Sequence, residues 1–387
     1  MHTIHALADT APAAEALPAT SMTAHEHIGF ELGWDYAHHR LLPPAPYAQE
    51  PSPLRHGLLA GQAAFVERTL PAGRAVRKWL QLRLHAWLRG RSVELFQVTP
   101  RYLQQIEVTH CPITRVSLTG STLQDSDASI DRVRNDAGYA AGNLAVMSTR
   151  ANQAKGAHGF TAAMAVVRQL EDRPVLEVGG LGPAAWRRIA ILCSFVEPMP
   201  HADACTLPLL VLPPKRLHLL NPVQALQAVL SRQLMRPGWA ERSRRVEALL
   251  AGKPLRRAYQ AFFHALLPRV LEAVPPAARR AATPEDERRL RWAIEDAWLN
   301  PLVLRRWTEF ARLLDAAGCE RLLERINGLN LGPDRTAAMS EAQATEGWNL
   351  DSRGYVPHAV LMRRRAWPAG AVPSAATPVP QQVALPL

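Results

Sequence analysis

The sequence predicts a mainly α-helical protein with one small α+β module near its centre, and three observations carry that reading. Apolar residues recur at helical spacing over most of the chain, with Pro or Gly bounding stretch after stretch. In the middle stand two short strand-like pieces, residues 129–133 and 144–147, the first alternating apolar and polar. No repeat of 20–50 residues is present, so a solenoid is not indicated.

The elements follow in order. Residues 1–27 are rich in Ala, Thr, Pro and His without periodicity and read as a disordered leader. Residues 28–107 form an N-terminal helical region. Within it, residues 75–89 place Val76, Leu80, Leu84, Trp87 and Leu88 on one side of a helix. Arg74, Arg77, Lys78 and Arg89 collect elsewhere on that helix, a basic face able to track a phosphate backbone or simply to be solvated. Thr99-Pro100 is an N-cap with Pro at the first helical position, so a short helix carrying Tyr102 and Leu103 starts there. Residues 108–172 form the central module and a following helix at 160–171. Residues 173–365 read as a C-terminal α-helical domain with helices at 183–196, 222–234, 239–250, 255–272, 284–299 and 302–316, whose tryptophans Trp292, Trp298 and Trp307 read as packing residues. Gly179-Gly180-Leu181-Gly182 lacks the Gly-Lys-Ser/Thr ending of a phosphate loop and reads as a helix-start bend. Residues 366–387 are a Pro/Ala tail that cannot bury enough surface to order.

Composition narrows the function classes. The 387 residues include 45 Lys+Arg against 34 Asp+Glu, a formal charge of +11, which favours polyanionic partners. Four scattered cysteines, Cys111, Cys193, Cys205 and Cys319, form no CxxC pair, which argues against a disulfide framework and a thiolate zinc site. The N-terminus has no basic region followed by an apolar run, and no stretch approaches the roughly 20 apolar residues of a membrane helix, so the expected address is cytoplasmic with no membrane partner.

The chemistry concentrates in residues 111–156. Asp131 alternates in face with Ile130 on the first strand, Asn135-Asp136-Ala137-Gly138 is turn material, and Ala141-Gly142-Asn143 is a second bend. Ser148 or Thr149 then caps a helix carrying Asn152 and Lys155. In this β-loop-β-helix, Asp131 and Asn152 can converge. A carboxylate and an amide oxygen make a hard, oxygen-only site that suits a single Mg²⁺ (or Mn²⁺) better than zinc.

The order Asp131-Arg132, Gly138-Tyr139, Gly142-Asn143, Asn152, Lys155 resembles the signature of HNH (ββα-metal) endonucleases, most closely the "SxDRID…GY…GN…N…K" phage-like variety. Cys111-Pro112-Ile113-Thr114 is similar to the opening that precedes many such fingers. The likeness spans roughly 45 residues and nothing outside them. It implies that Asp131 and Asn152 hold the metal against the scissile phosphate. Asn143 would tie the loop to the strand and orient the catalytic side chain, and Lys155 would offer its charge to the nucleic-acid backbone.

One position departs from the family. Where an active HNH site has a histidine general base, this chain has Arg132, whose guanidinium stays protonated and can grip a phosphate but not take a proton. His110 and His158 are the nearby candidates to replace it; losing a positioned base costs about 10²–10⁴-fold in rate. The expectation is therefore a metal-dependent endonuclease hydrolysing phosphodiesters in DNA, slow because of Arg132. The alternatives are a degenerate finger that binds nucleic acid without cutting, and a helical scaffold protein.

Overall fold

The computed structural model describes residues 22–172, 176–276, 279, 283–329 and 338–356. The expected tail at 366–387 and residues 1–21 of the expected leader lie outside them. Residues 24–27, read from composition as part of the leader, are helical. Thr23 opens α1 (Ala24–His38) with a capping box: its side chain accepts the Glu26 amide, while the Glu26 carboxylate accepts the Thr23 amide at 2.9 Å. The cap lies among histidines and alanines, which hid the helix start from an apolar-period reading.

α2 (Pro53–Phe65) lies against α1 at glycine-limited distance. A Cβ on Gly33 would fall 1.9 Å from the Leu54 carbonyl oxygen, and one on Gly57 1.8 Å from that of Phe30. α3 (Arg74–Leu88) completes this layer, its Leu80, Leu84 and Trp87 buried with Leu32, Leu54 and Leu58. Thr99 caps α4 (Pro100–Ile106) by accepting the Tyr102 amide, as the Thr-Pro pair predicts.

The central module is a two-stranded antiparallel sheet, β1 (Ala128–Arg132) and β2 (Leu144–Ser148), with Ile130 opposite Val146 and Asp131 opposite Ala145. Ser148 then caps α5 (Thr149–Lys155) by accepting the Ala151 amide at 3.3 Å. Every residue of both strands is buried, because the sheet is covered on both faces. Ala128, Ile130, Leu144 and Val146 pack with Leu82, Tyr102 and Leu103 of the N-terminal layer. Ala145 and Met147 join the large core of the C-terminal helices.

Those helices are α6 (Phe160–Asp172), α7 (Pro183–Ser194), α8 (His201–Ala204), α9 (Pro222–Arg232), α10 (Trp239–Leu249), α11 (Lys253–Ala273), α12 (Pro284–Ala297), α13 (Pro301–Ala311), α14 (Ala316–Gly328) and α15 (Glu341–Ala344). The stretch expected to be one helix over 302–316 is broken. α13 ends at Ala311, and Asp315 caps α14 by accepting the Gly318 amide at 2.6 Å. Trp298 and Trp307 are core residues, while Trp292 is half-buried and meets His110 edge to face. The chain finally returns to the central module: Trp348 accepts the Gly138 amide through its carbonyl and donates Nε1 to Ala141. Among the described residues no helix is long and apolar enough to cross a membrane.

Candidate functional site

Strand alternation puts Ser129 and Asp131 on the face of β1 that looks at α5, and the i, i+3 spacing of Asn152 and Lys155 puts both on the helix face that looks back. The four side chains meet there. Asn152 Nδ2 donates to Ser129 Oγ at 2.7 Å. Lys155 Nζ lies 3.0 Å from Asp131 Oδ2, 3.3 Å from Oδ1 and 3.1 Å from the Arg132 carbonyl oxygen. Asp131 and Lys155 are both 0% exposed and Asn152 is 2% exposed. The lid over them is α7: Cys193 Sγ approaches the Val133 carbonyl at 4.0 Å and that of His158 at 3.6 Å. Burial pushes the Cys193 thiol up to about 12 against the pull of the Lys155 charge, so it is no nucleophile.

This geometry corrects the expectation for Lys155. Its ammonium is enclosed, donates to Asp131 Oδ1 and the Arg132 carbonyl and pairs in charge with the same carboxylate, so it is not offered to a phosphate backbone. Arg132 is turned inward as well. It is 3% exposed, donates Nη1 to the carbonyls of Asn135 and Ala137, and lies 5.2 Å over the Tyr139 ring. A phosphate cannot reach it in this arrangement. Asn143, 0% exposed, accepts the Arg134 amide at 2.8 Å and donates to the Arg134 and Gly138 carbonyls, which ties the β1–β2 connection to the start of β2.

The residues do not fit a divalent ion. Both Asp131 oxygens already face a protein cation, and Asn152 is the only other predicted ligand. Among the described residues no group of three or more His, Cys, Asp or Glu side chains is arranged to hold a metal. The two substitute bases are engaged elsewhere. His158 Nδ1 is bonded to the Lys155 carbonyl at 2.7 Å and its ring meets Trp186 edge to face. His110 bonds the Thr109 hydroxyl and packs on Trp292; its pKa is lowered by burial and by the nearby Arg288.

The basic helix divides in three. Arg74 and Arg77 are exposed and line one side of an open groove of about 850 Å³ between α3 and the central module. Lys78 lines the same groove but is buried and paired with Glu107. Arg89, the C-cap of α3, sits a full helix length away, roughly 22 Å at 1.5 Å per residue, beside His85. Across the groove stand Thr109, Ser117, Thr119 and Ser121, over a floor that includes Ala128 and Val146. These hydroxyls carry no motif; only the density of Ser and Thr at 117–126 marks them in the sequence.

The rim is built on Asp127, which is 1% exposed. Its carboxylate accepts the Thr119 and Thr122 hydroxyls and the Thr122 and Leu123 amides at 2.6–2.8 Å. Burial alone would raise its pKa, and these four hydrogen bonds reverse that to a net depression. No known protein family, curated protein or solved structure matches this chain.

Proposed function

We propose that this protein binds nucleic acid, duplex DNA in the first instance, in the groove between α3 and the central module, and does not cut it. The observation that carries the reading is the pairing of Arg74 and Arg77 on one wall with the hydroxyls of Thr109, Ser117 and Ser121 on the other. Guanidinium and hydroxyl donors on opposite sides of an open trough match the oxygens of a sugar-phosphate backbone. Glu107 is the one carboxylate among the described lining residues, and Lys78 neutralises it, so the field of the groove is positive. The chain's formal charge of +11 adds long-range attraction of the same sign.

Hydrolysis is not expected, because the Asp131 carboxylate is engaged by Lys155 and both are closed to solvent. The reading is tested by fluorescence anisotropy on a labelled duplex from about 50 to about 200 mM salt, with EDTA or Mg²⁺, beside a plasmid-nicking assay. Binding that weakens steeply with salt and survives EDTA, without nicking, is the expected result. Absent or salt-independent binding overturns the groove. Nicking that disappears in Asn152→Ala overturns the claim that the finger does not cut.

A further inference from the structure

Lys155 is more than a buried partner for Asp131, because of where it stands. In the HNH signature that residues 131–155 resemble, the strand carboxylate and the helix amide are the two metal ligands. Here Asp131 comes from β1 and Asn152 from α5, and the ammonium of Lys155 lies 3.0 and 3.3 Å from the two carboxylate oxygens. A third oxygen, the Arg132 carbonyl, completes the set at 3.1 Å. Two hydrogen bonds and the charge of the whole carboxylate hold the ammonium in place. Asn152 Oδ1, buried on the same helix face, has no hydrogen-bond partner among the described residues. A buried acceptor without a donor costs free energy, and a bound cation is one way to recover it.

We propose that Lys155 takes the place of the divalent ion, so that this finger carries its cation as a side chain. Removing the lysine then opens a latent single-ion site whose oxygen ligands are the Asp131 carboxylate, the Arg132 carbonyl and Asn152 Oδ1, a hard donor set suited to Mn²⁺ or Mg²⁺. The physical requirement is charge. Asp131 is enclosed with 0% exposure, and without Lys155 its carboxylate must either find another cation or take up a proton. An ion in the vacated space supplies that charge, and water can fill its remaining positions where the four-carbon stem had been. The inference does not depend on nucleic-acid binding in the groove, since its readout contains no nucleic acid.

The test is titration of Mn²⁺ into the full chain, read by loss of the free-ion EPR signal and by thermal melting, for wild type, Lys155→Ala and Lys155→Ala/Asp131→Asn. Wild type is expected to bind no stoichiometric Mn²⁺ and to melt at the same temperature in EDTA and in Mn²⁺. Lys155→Ala is expected to bind one ion per chain and to melt several degrees higher with Mn²⁺ than without, and the double variant to lose both effects. If Lys155→Ala is unfolded in EDTA, the same measurement becomes Mn²⁺-dependent recovery of far-UV helicity. Stoichiometric Mn²⁺ on wild type that Asp131→Asn removes would overturn the proposal. So would a Lys155→Ala protein that neither binds an ion nor refolds with one.

Discussion

Arg132 donates through Nη1 to the carbonyl oxygen of Ala137 at 2.7 Å, which clamps the connection after β1 back onto the strand's last residue. A second bond from the same nitrogen reaches Asn135 at 3.1 Å. At the position where the HNH signature has its general base, this chain therefore has a buried cation holding loop carbonyls. Restoring the histidine is not expected to restore hydrolysis. Arg132→His should leave plasmid nicking at background with Mg²⁺ or Mn²⁺, because Asp131 is still engaged by Lys155. It should also cost about 1.5–3 kcal/mol, the range for hydrogen bonds made by a charged group. Urea unfolding measures the second effect. Metal-dependent nicking by the variant would show that the Asp131–Lys155 pair opens.

The Asp131–Lys155 pair makes a distinctive prediction for stability. Both side chains are fully buried, so deleting one leaves an uncompensated charge in the core. Lys155→Met and Asp131→Leu should each destabilise by about 3–5 kcal/mol in metal-free buffer, whereas replacing both together should be close to neutral. A double-mutant cycle in urea reads this directly. Additive losses would mean that the two residues act through separate contacts.

The two strands and the helix after them were legible in the sequence, and what encloses them was not. Alternation at 129–133, the Gly142-Asn143 bend and the Ser148 cap are local signals, and β1, β2 and α5 lie where they predict, within a residue or two. Spacing also put Asn152 and Lys155 on one helix face. What sits above that face is a matter of contacts distant along the chain: α7 brings Cys193 to Val133, 60 positions away, and Trp348 reaches Ala141 from 207 positions away. Periodicity within a window of a dozen residues carries no trace of such contacts, so a lysine expected to meet phosphate is found meeting aspartate. The groove shows the same limit from the other side. Arg74, Arg77, Lys78 and Arg89 look equivalent in sequence, and only the packing of α3 against Glu107 and the 117–121 segment separates them.

Asp127 ties the groove rim to pH. Its folded pKa is depressed, burial being outweighed by bonds from Thr122, Thr119 and Leu123. A depressed carboxylate contributes stability above its unfolded value, about 3.9, and loses it as pH falls through the lower folded value. Wild type should therefore exceed Asp127→Asn by about 1–3 kcal/mol at neutral pH, because the amide leaves hydroxyl and amide donors unmatched, and the gap should close progressively below pH ~4. Urea midpoints for both proteins, followed from neutral pH down to about 2.5, check this. A gap that stays constant across that range would mean that the ionised carboxylate is not what holds residues 119–123.

Salt dependence separates Arg74, Arg77, Lys78 and Arg89 more sharply than affinity alone. Removing one phosphate-binding cation should reduce the slope of log K against log salt by about 0.9 on duplex DNA. Arg74→Ala and Arg77→Ala each act on the open groove, so each should weaken binding and flatten the slope by about one unit, and the double variant by about two. Arg89→Ala, at the far end of the helix, should leave the slope unchanged. Lys78→Ala should behave differently from all three, because its ammonium is already committed to Glu107: stability falls, and the freed carboxylate lowers affinity by repulsion. Equal slopes for Arg74→Ala and Arg89→Ala would mean that the charge of the whole molecule, and not the groove, attracts the polyanion.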